Sequence, residues 1–277
     1  MDADVTLWAE LHNRGIESIS SLSADDAIDL ASRFAVWIPV ETYVSSPWLA
    51  PYAVRRVRNR TDQRVNGPKR DMWGFPDERG YFTDDNSLIK QIHKGKRVKE
   101  IDSPYGTSKL SSGMVCCHVW SGTTQNPLLF SFIPNLVWLP KSLAPLSDNH
   151  DGNSPHPVHG FLKSVSLTRF REYTVHRGSQ RVQRAWDELD VSFVGPSDRR
   201  SFELADAEKL VKLASGRVDR FVNFIEELIE PDSRPQRFSR RYHAGVGRGI
   251  DQTFPAVDLA VSVEDLRILL SDIRSCR

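Results

Sequence analysis

The most regular hydrophobic patterns along the chain predict helices towards both ends. In residues 23–38, apolar side chains recur at the three- and four-residue spacing of one helix face, with Ser23 as the candidate N-cap. A longer stripe of the same kind runs through residues 204–230, where Gly216 marks a point at which the helix could break. A shorter stripe occupies residues 262–274. Each pattern predicts an amphipathic helix that buries one face.

The middle of the chain instead carries short apolar runs that are typical of strands. Residues 113–120 form one run and residues 132–140 form the second. A helical turn is predicted for 140–148 and a further helix for 158–175. Residues 41–54 combine aromatic residues with prolines, which favours an irregular or extended link. Strands flanked by helices in this order predict an α+β fold, in which a small core of strands lies within a larger mixed domain.

The same order divides the chain into three regions. Residues 1–112 form an N-terminal helical and basic region, residues 113–175 hold the two strands and the helix after them, and residues 176–277 form a C-terminal helical region. A length of 277 residues is sufficient for one large domain or two modest ones.

Composition argues against a membrane protein, a secreted protein and a disulfide-stabilised protein. No apolar stretch approaches the roughly 20 residues that a membrane helix needs, and the acidic first ten residues do not resemble a signal peptide. The three cysteines, two of them adjacent, make a poor disulfide framework. We therefore expect a cytoplasmic protein that makes no use of a membrane.

Charge is distributed unevenly, although the formal net charge is only +1. Basic residues cluster in four segments, while acidic residues concentrate in 24–30 and 203–232. The alternative interpretation is a set of solvated faces, but four arginine-rich clusters favour nucleic acid as the partner. The first cluster, which we expect to bind DNA, comprises Arg55, Arg56, Arg58, Arg60, Arg64, Lys69 and Arg70. The others comprise Lys94, Lys96, Arg97 and Lys99, then Arg177, Arg181 and Arg184, and finally Arg234, Arg237, Arg240, Arg241 and Arg248.

One constellation carries candidate chemistry. His118 lies near the end of the first predicted strand, and Asn135-Leu136-x-x-Leu139-Pro140 forms the second. Asp148 then closes the helical turn. This arrangement resembles the signature of HNH (ββα-metal) endonucleases, in which a histidine ends the first strand of a β-hairpin, an Asn-Leu-x-x-Leu segment follows, and a helix supplies a metal ligand. The resemblance covers about residues 113–150.

The resemblance implies a ββα-metal core and a role for each residue. His118 would be the catalytic base that takes a proton from the attacking water, and Asn135 would brace the loop or orient the histidine. A single divalent cation, Mg²⁺ first among the candidates, would stabilise the leaving oxygen. Asp148 is the first candidate ligand and Asp85 the second, since carboxylates suit Mg²⁺. Cys117 is a third, which as a thiolate would suit a softer ion.

The chain departs from the signature at two places. Cys117 stands where an acid or histidine usually binds the metal, and the third motif position falls on Leu143 or Ala144, neither of which is a metal ligand. Each candidate also has a structural interpretation: His118 as a core histidine, and Asn135 and Asp148 as turn residues.

The function implied is metal-dependent cleavage of double-stranded DNA, as by a type II restriction endonuclease. Cutting both strands at a palindrome would favour a homodimer. Two other classes stay open. One is a catalytically inactive DNA-binding module that reads specific or modified DNA, which the two departures motivate. The other is an interaction protein whose basic loops bind RNA or a protein.

Overall fold

The computed structural model of the chain describes residues 1–50, 53–55, 82–84, 89, 92–99, 103–147, 156–174, 180–189, 191, 202–229, 237–238, 254–255 and 263–275. Seven α-helices lie in these ranges: α1 Ala3–Asn13, α2 Ala24–Phe34, α3 Val40–Ser45, α4 Pro157–Phe170, α5 Gln180–Asp187, α6 Ala207–Ile229 and α7 Val263–Ser275. Eight short strands lie there too: β1 Val36–Trp37, β2 Ala53–Arg55, β3 Phe82–Asp84, β4 Met114–His118, β5 Leu136–Pro140, β6 Phe202–Glu203, β7 Arg237–Phe238 and β8 Phe254–Pro255. The α+β class predicted from the sequence is confirmed.

A four-stranded mixed sheet forms the centre of the fold, with the strand order β4-β5-β1-β6. β4 and β5 are antiparallel, and their register pairs His118 with Leu136 and Met114 with Pro140. β1 pairs antiparallel with β5 and parallel with β6. Strands from all three predicted regions, 1–112, 113–175 and 176–277, therefore belong to one sheet.

The hydrophobic core surrounds β5, every residue of which is buried. Both α1 and α2 contact this strand. Trp37 and Trp138, from β1 and β5, are completely buried. Tyr105 is also buried, and its hydroxyl donates a hydrogen bond of 2.7 Å to the carbonyl oxygen of Phe34 at the end of α2. Because a buried hydroxyl without a partner is costly, this bond fixes the end of α2 against the core.

Helix α4 is attached to the start of β5. The hydroxyl of Ser166 donates a 2.5 Å hydrogen bond to the carbonyl oxygen of Pro134, which directly precedes Asn135. Phe161, Leu162 and Val165 bury the helix against the core. The chain thus folds as strand, strand and then helix, with the helix bonded to the hairpin near the end that carries His118.

Most of the elements predicted between residues 113 and 274 are confirmed. The strands β4 and β5, the helix α4, and the helices α6 and α7 lie where the apolar spacing predicts them. α6 runs without a break through Gly216 and packs against α7.

Two predictions for the first 54 residues are wrong, and two helices were missed. The helix predicted for 23–38 begins after the N-cap Ser23, whose hydroxyl accepts from the amide of Asp26, but it ends at Phe34. The next residues form β1, because Val36 pairs with Trp138 of β5. The link predicted for 41–54 contains α3, and α1 and α5 were not predicted at all.

Among the helices in the described ranges, none has both the length and the apolar character needed to cross a bilayer.

His93 is a buried histidine beside the central sheet. It is 2% exposed, and its ring centroid lies 6.3 Å from that of Trp138. Its Nδ1 has no hydrogen-bond partner among the residues that the structure describes. Burial lowers the pKa of His93 from 6.5 to about 4, and the positive charge of Lys94 adds to the effect.

We expect this histidine to make the fold sensitive to acid. The unfolded chain takes up a proton at position 93 near pH 6.5, whereas the folded chain does so only near pH 4, so the free energy of unfolding falls as the pH falls between these values. The loss amounts to about 3 kcal/mol. His93→Phe keeps a ring against Trp138 and should flatten the dependence by that amount, as measured by urea unfolding at pH 7 and pH 4. His12→Phe, at an exposed position of α1, is the control; equal profiles for the two variants would contradict the prediction.

Candidate active site

His118 is the last residue of β4, and its ring is held in one orientation by Phe130. The imidazole Nε2 lies 2.9 Å from the carbonyl oxygen of Phe130, and the two rings stack with centroids 5.6 Å apart at 27°. A carbonyl oxygen can only accept, so Nε2 carries the hydrogen in this bond. In the neutral ring the lone pair then lies on Nδ1, the nitrogen that can accept a proton.

Asn135 holds together the loop that joins β4 to β5. Its side chain is completely buried and makes three hydrogen bonds to that loop. The amide oxygen accepts from the backbone N–H of Trp120 at 2.9 Å. The amide nitrogen donates to the hydroxyl of Thr123 at 2.8 Å and to the carbonyl oxygen of Leu129 at 2.9 Å. Leu129 directly precedes Phe130, so Asn135 also fixes the carbonyl group that orients His118.

The loop is further fixed by the segment that precedes β2. The indole of Trp48 donates to the carbonyl oxygen of Leu128 at 2.7 Å. The hydroxyl of Ser131 donates to the carbonyl oxygen of Ala50 at 2.6 Å and accepts from the amide of that residue at 3.0 Å. The loop from Val119 to Pro134 is therefore held on two sides, by Asn135 within the hairpin and by residues 48–50 outside it.

The loop also contacts the strand that begins the first basic cluster. Gln125 donates a 2.5 Å hydrogen bond to the carbonyl oxygen of Arg55 in β2. β2 pairs in parallel with β3, and Arg55 lies opposite Asp84 in that register. The side chain of Arg55 is exposed. This contact places the start of the basic cluster and the strand that precedes Asp85 beside the loop of the hairpin.

Several predicted site residues lie outside the described residues. These are the candidate metal ligands Asp85 and Asp148, and the predicted DNA contacts Arg56, Arg58, Arg60, Arg64, Lys69 and Arg70. The 3₁₀ turn Ala144–Ser147, which ends just before Asp148, contacts β4.

Cys117 is on the other face of β4 from His118, because successive side chains of a strand alternate between faces. It is partly buried against the core, and its Sγ lies 3.8 Å from the carbonyl oxygen of Val115. Within the described ranges, no group of three or more histidine, cysteine or acidic side chains could hold a metal ion. Any metal beside His118 would therefore need at least one ligand from outside the described ranges, where Asp148 and Asp85 lie.

One member of the basic clusters is a core residue. Arg181 of α5 is only 6% exposed, and its guanidinium lies 4.6 Å from the centroid of the Trp48 ring. We expected it to be an exposed cation for a polyanion, and that expectation is wrong. The stacked, buried guanidinium instead packs α5 against the segment that supports the hairpin loop.

The sequence did not single out Phe130, Gln125 or Thr123. Phe130 orients His118 through its backbone carbonyl group, and Gln125 bonds to Arg55, which lies 70 residues earlier in the chain. Neither contact leaves a pattern in the sequence. Comparison with protein-family models, characterised proteins and solved structures finds no match to the chain.

We expect Asn135→Ala to loosen the loop and destabilise the fold. The change leaves three buried hydrogen-bonding groups without their partner, which costs about 3 kcal/mol in the free energy of unfolding. Hydrogen exchange at the amide of Trp120 should accelerate more than exchange within α1, since that amide loses its acceptor. Asn13→Ala, at an exposed position, is the control and should stay within about 0.5 kcal/mol. A change equally small for Asn135→Ala would show that the side chain does not hold the loop.

Proposed function

We propose that the chain is a metal-dependent DNA endonuclease of the ββα-metal type, with His118 as the general base. The observation that carries the proposal is the hydrogen bond from Nε2 of His118 to the carbonyl oxygen of Phe130, inside a loop that Asn135 holds closed. The order of strand, strand and helix around this histidine supports the same family. Asn135 acts as a positioning residue, because it reaches His118 only through the loop.

The proposed reaction is hydrolysis of a phosphodiester bond. Nδ1 of His118 takes a proton from a water molecule as the water oxygen bonds to the phosphorus. The bond from phosphorus to the leaving oxygen then breaks, and that oxygen takes up a proton from solvent. The imidazolium that forms keeps its Nε2–H donated to the Phe130 carbonyl group, so its added charge is partly compensated.

A divalent cation would complete the site by stabilising the negative charge on the leaving oxygen. We propose Asp148 and Asp85 as its ligands, because carboxylate oxygens suit Mg²⁺. The position of Cys117 on the opposite face of β4 from His118 makes it the weakest of the three candidates.

Double-stranded DNA is the proposed substrate, and the exposed Arg55 beside the hairpin loop supports this choice. Arginines of its cluster would neutralise backbone phosphates. A type II restriction endonuclease that cuts both strands, acting as a homodimer in the cytoplasm, is the specific form of the proposal.

Removal of the base should slow cleavage strongly without abolishing DNA binding. We expect wild-type protein to cut plasmid DNA into discrete fragments with Mg²⁺ or Mn²⁺ and not with EDTA. His118→Ala should reduce the cleavage rate at least about 100-fold, the usual contribution of a general base. His12→Ala, which removes an exposed imidazole from α1, should cleave like wild type.

Thermal unfolding of both variants controls for loss of the fold. Should wild-type protein cleave no modified or unmodified DNA while it binds DNA in a salt-sensitive way, the catalytic proposal fails. The chain would then be a DNA-binding module.

A further inference from the structure

A basic pocket lies at the opposite edge of the sheet from His118. It encloses about 340 Å³ and is lined by five cationic side chains and one carboxylate. These are Lys94, Lys96, Arg97, Lys109, Lys209 and Asp206. Only the first three belong to a cluster that is visible in the sequence, since Lys109 and Lys209 are brought in by the fold.

Backbone pairing between three distant segments forms the walls of the pocket. Arg97 pairs with Lys109 as an antiparallel bridge, and Leu110 donates to the carbonyl oxygen of Lys96 at 3.0 Å. On the other side, Ala205 donates to the carbonyl oxygen of Arg97 at 2.7 Å. A turn at Gly95, with φ of 71°, brings Lys94 and Lys96 to the same side. Backbone hydrogen bonds therefore fix the segments that carry these cations.

The positive side chains that line the pocket outnumber the carboxylates that could neutralise them. Asp206 is shared between Lys96, at 3.9 Å, and Lys209, at 3.4 Å. Lys94, Arg97 and Lys109 are exposed and form no ion pair with any residue that the structure describes. Gathering like charges around a concave surface without counter-ions disfavours the empty state and favours an anion in the pocket.

Lys99, from the same sequence cluster, shows the contrast. Its ammonium lies 3.4 Å from Glu203 and 3.7 Å from Glu41, and these carboxylates raise the pKa of Lys99. It is therefore compensated within the protein, and it does not line the pocket. The fold thus sorts the cluster into one structural cation and three cations that face a cavity.

We propose that this pocket binds a phosphate group. Lysine and arginine are the side chains that bind phosphate oxygens, and the volume suits a phosphate with part of its ester. The source that we assign is the backbone of DNA, an assignment that rests on the function proposed above, whereas phosphate binding itself rests on the pocket alone.

The bound phosphate is distinct from the one that would be cleaved at His118. β4 and β6 are the two edges of the sheet, separated by three strand spacings, which is roughly 14 Å. The pocket lies at the β6 edge: Asp206 and Lys209 follow β6 in the chain. Val98, which follows Arg97, forms a bridge with Leu204, the residue after β6. In this proposal one duplex reaches the two sites with different phosphates of its backbone.

Paired lysine variants test the proposal. Lys94→Gln/Lys109→Gln removes two exposed pocket lysines, and Lys141→Gln/Lys212→Gln removes two exposed lysines that do not line it. Binding of a fluorescent duplex is measured by anisotropy in EDTA between 50 and 200 mM salt. We expect the pocket variant to bind about 10-fold more weakly than the control variant, with a salt dependence that is shallower by about one phosphate contact.

Lysine acetylation read by mass spectrometry identifies the source of the phosphate. Protection of Lys94 and Lys109 by duplex DNA, with Lys141 and Lys212 unaffected, supports the DNA backbone. Protection by millimolar inorganic phosphate and not by DNA supports a small phosphate compound instead. Equal DNA affinity of the two double variants, with no protection by either probe, overturns the pocket.

The two proposals fail separately. Wild-type protein that binds DNA through these lysines but never cleaves it would leave the pocket and overturn the nuclease. Cleavage that persists at unchanged DNA affinity in Lys94→Gln/Lys109→Gln, with neither DNA nor phosphate protecting these lysines in the wild-type protein, would leave the nuclease and overturn the pocket.

Discussion

Asn135 is completely buried, and its amide group makes three hydrogen bonds to the loop between β4 and β5. Because an unsatisfied amide in the core is costly, the loop and the hairpin form together. The position of the Phe130 carbonyl group depends on this closure, and the tautomer of His118 depends in turn on that carbonyl group. The contact between Gln125 and Arg55 likewise depends on the loop. One amide therefore connects the centre of the fold with its candidate chemistry.

The sequence predicts those elements whose signal is local. Apolar spacing is sufficient for β4, β5, α4, α6 and α7, and the serine cap is sufficient for the start of α2. The end of α2 is not local: Ala35 and Ile38 continue the helical spacing, but Val36 between them pairs with Trp138, about one hundred residues away. α1 has a weak pattern, since Val5 and Trp8 leave their apolar side chains exposed. Arg181, which is charged in sequence and buried in structure, shows the same limit.

The candidate site was predictable in part for the same reason. The resemblance to the HNH signature selects His118 and Asn135, since both stand at fixed points of its strand-loop-strand motif. Spacing does not reveal that a backbone carbonyl orients the histidine, nor that Cys117 lies on the opposite face. Local charge counting finds Lys94 and Arg97 but not the lysines from two distant segments that complete their pocket. A site whose residues lie close together in the sequence can thus be predicted from it. A site that forms only when distant segments pair cannot.

The most direct test of the account is the pH dependence of single-turnover DNA cleavage by the wild-type protein at saturating Mg²⁺. Only the neutral imidazole can accept the proton, so the rate should rise with pH, with a slope of one on a logarithmic scale, through the range in which the imidazole loses its proton, and then level off. A rate that is independent of pH across that range, or the absence of cleavage throughout it, would contradict the role of His118 as the base.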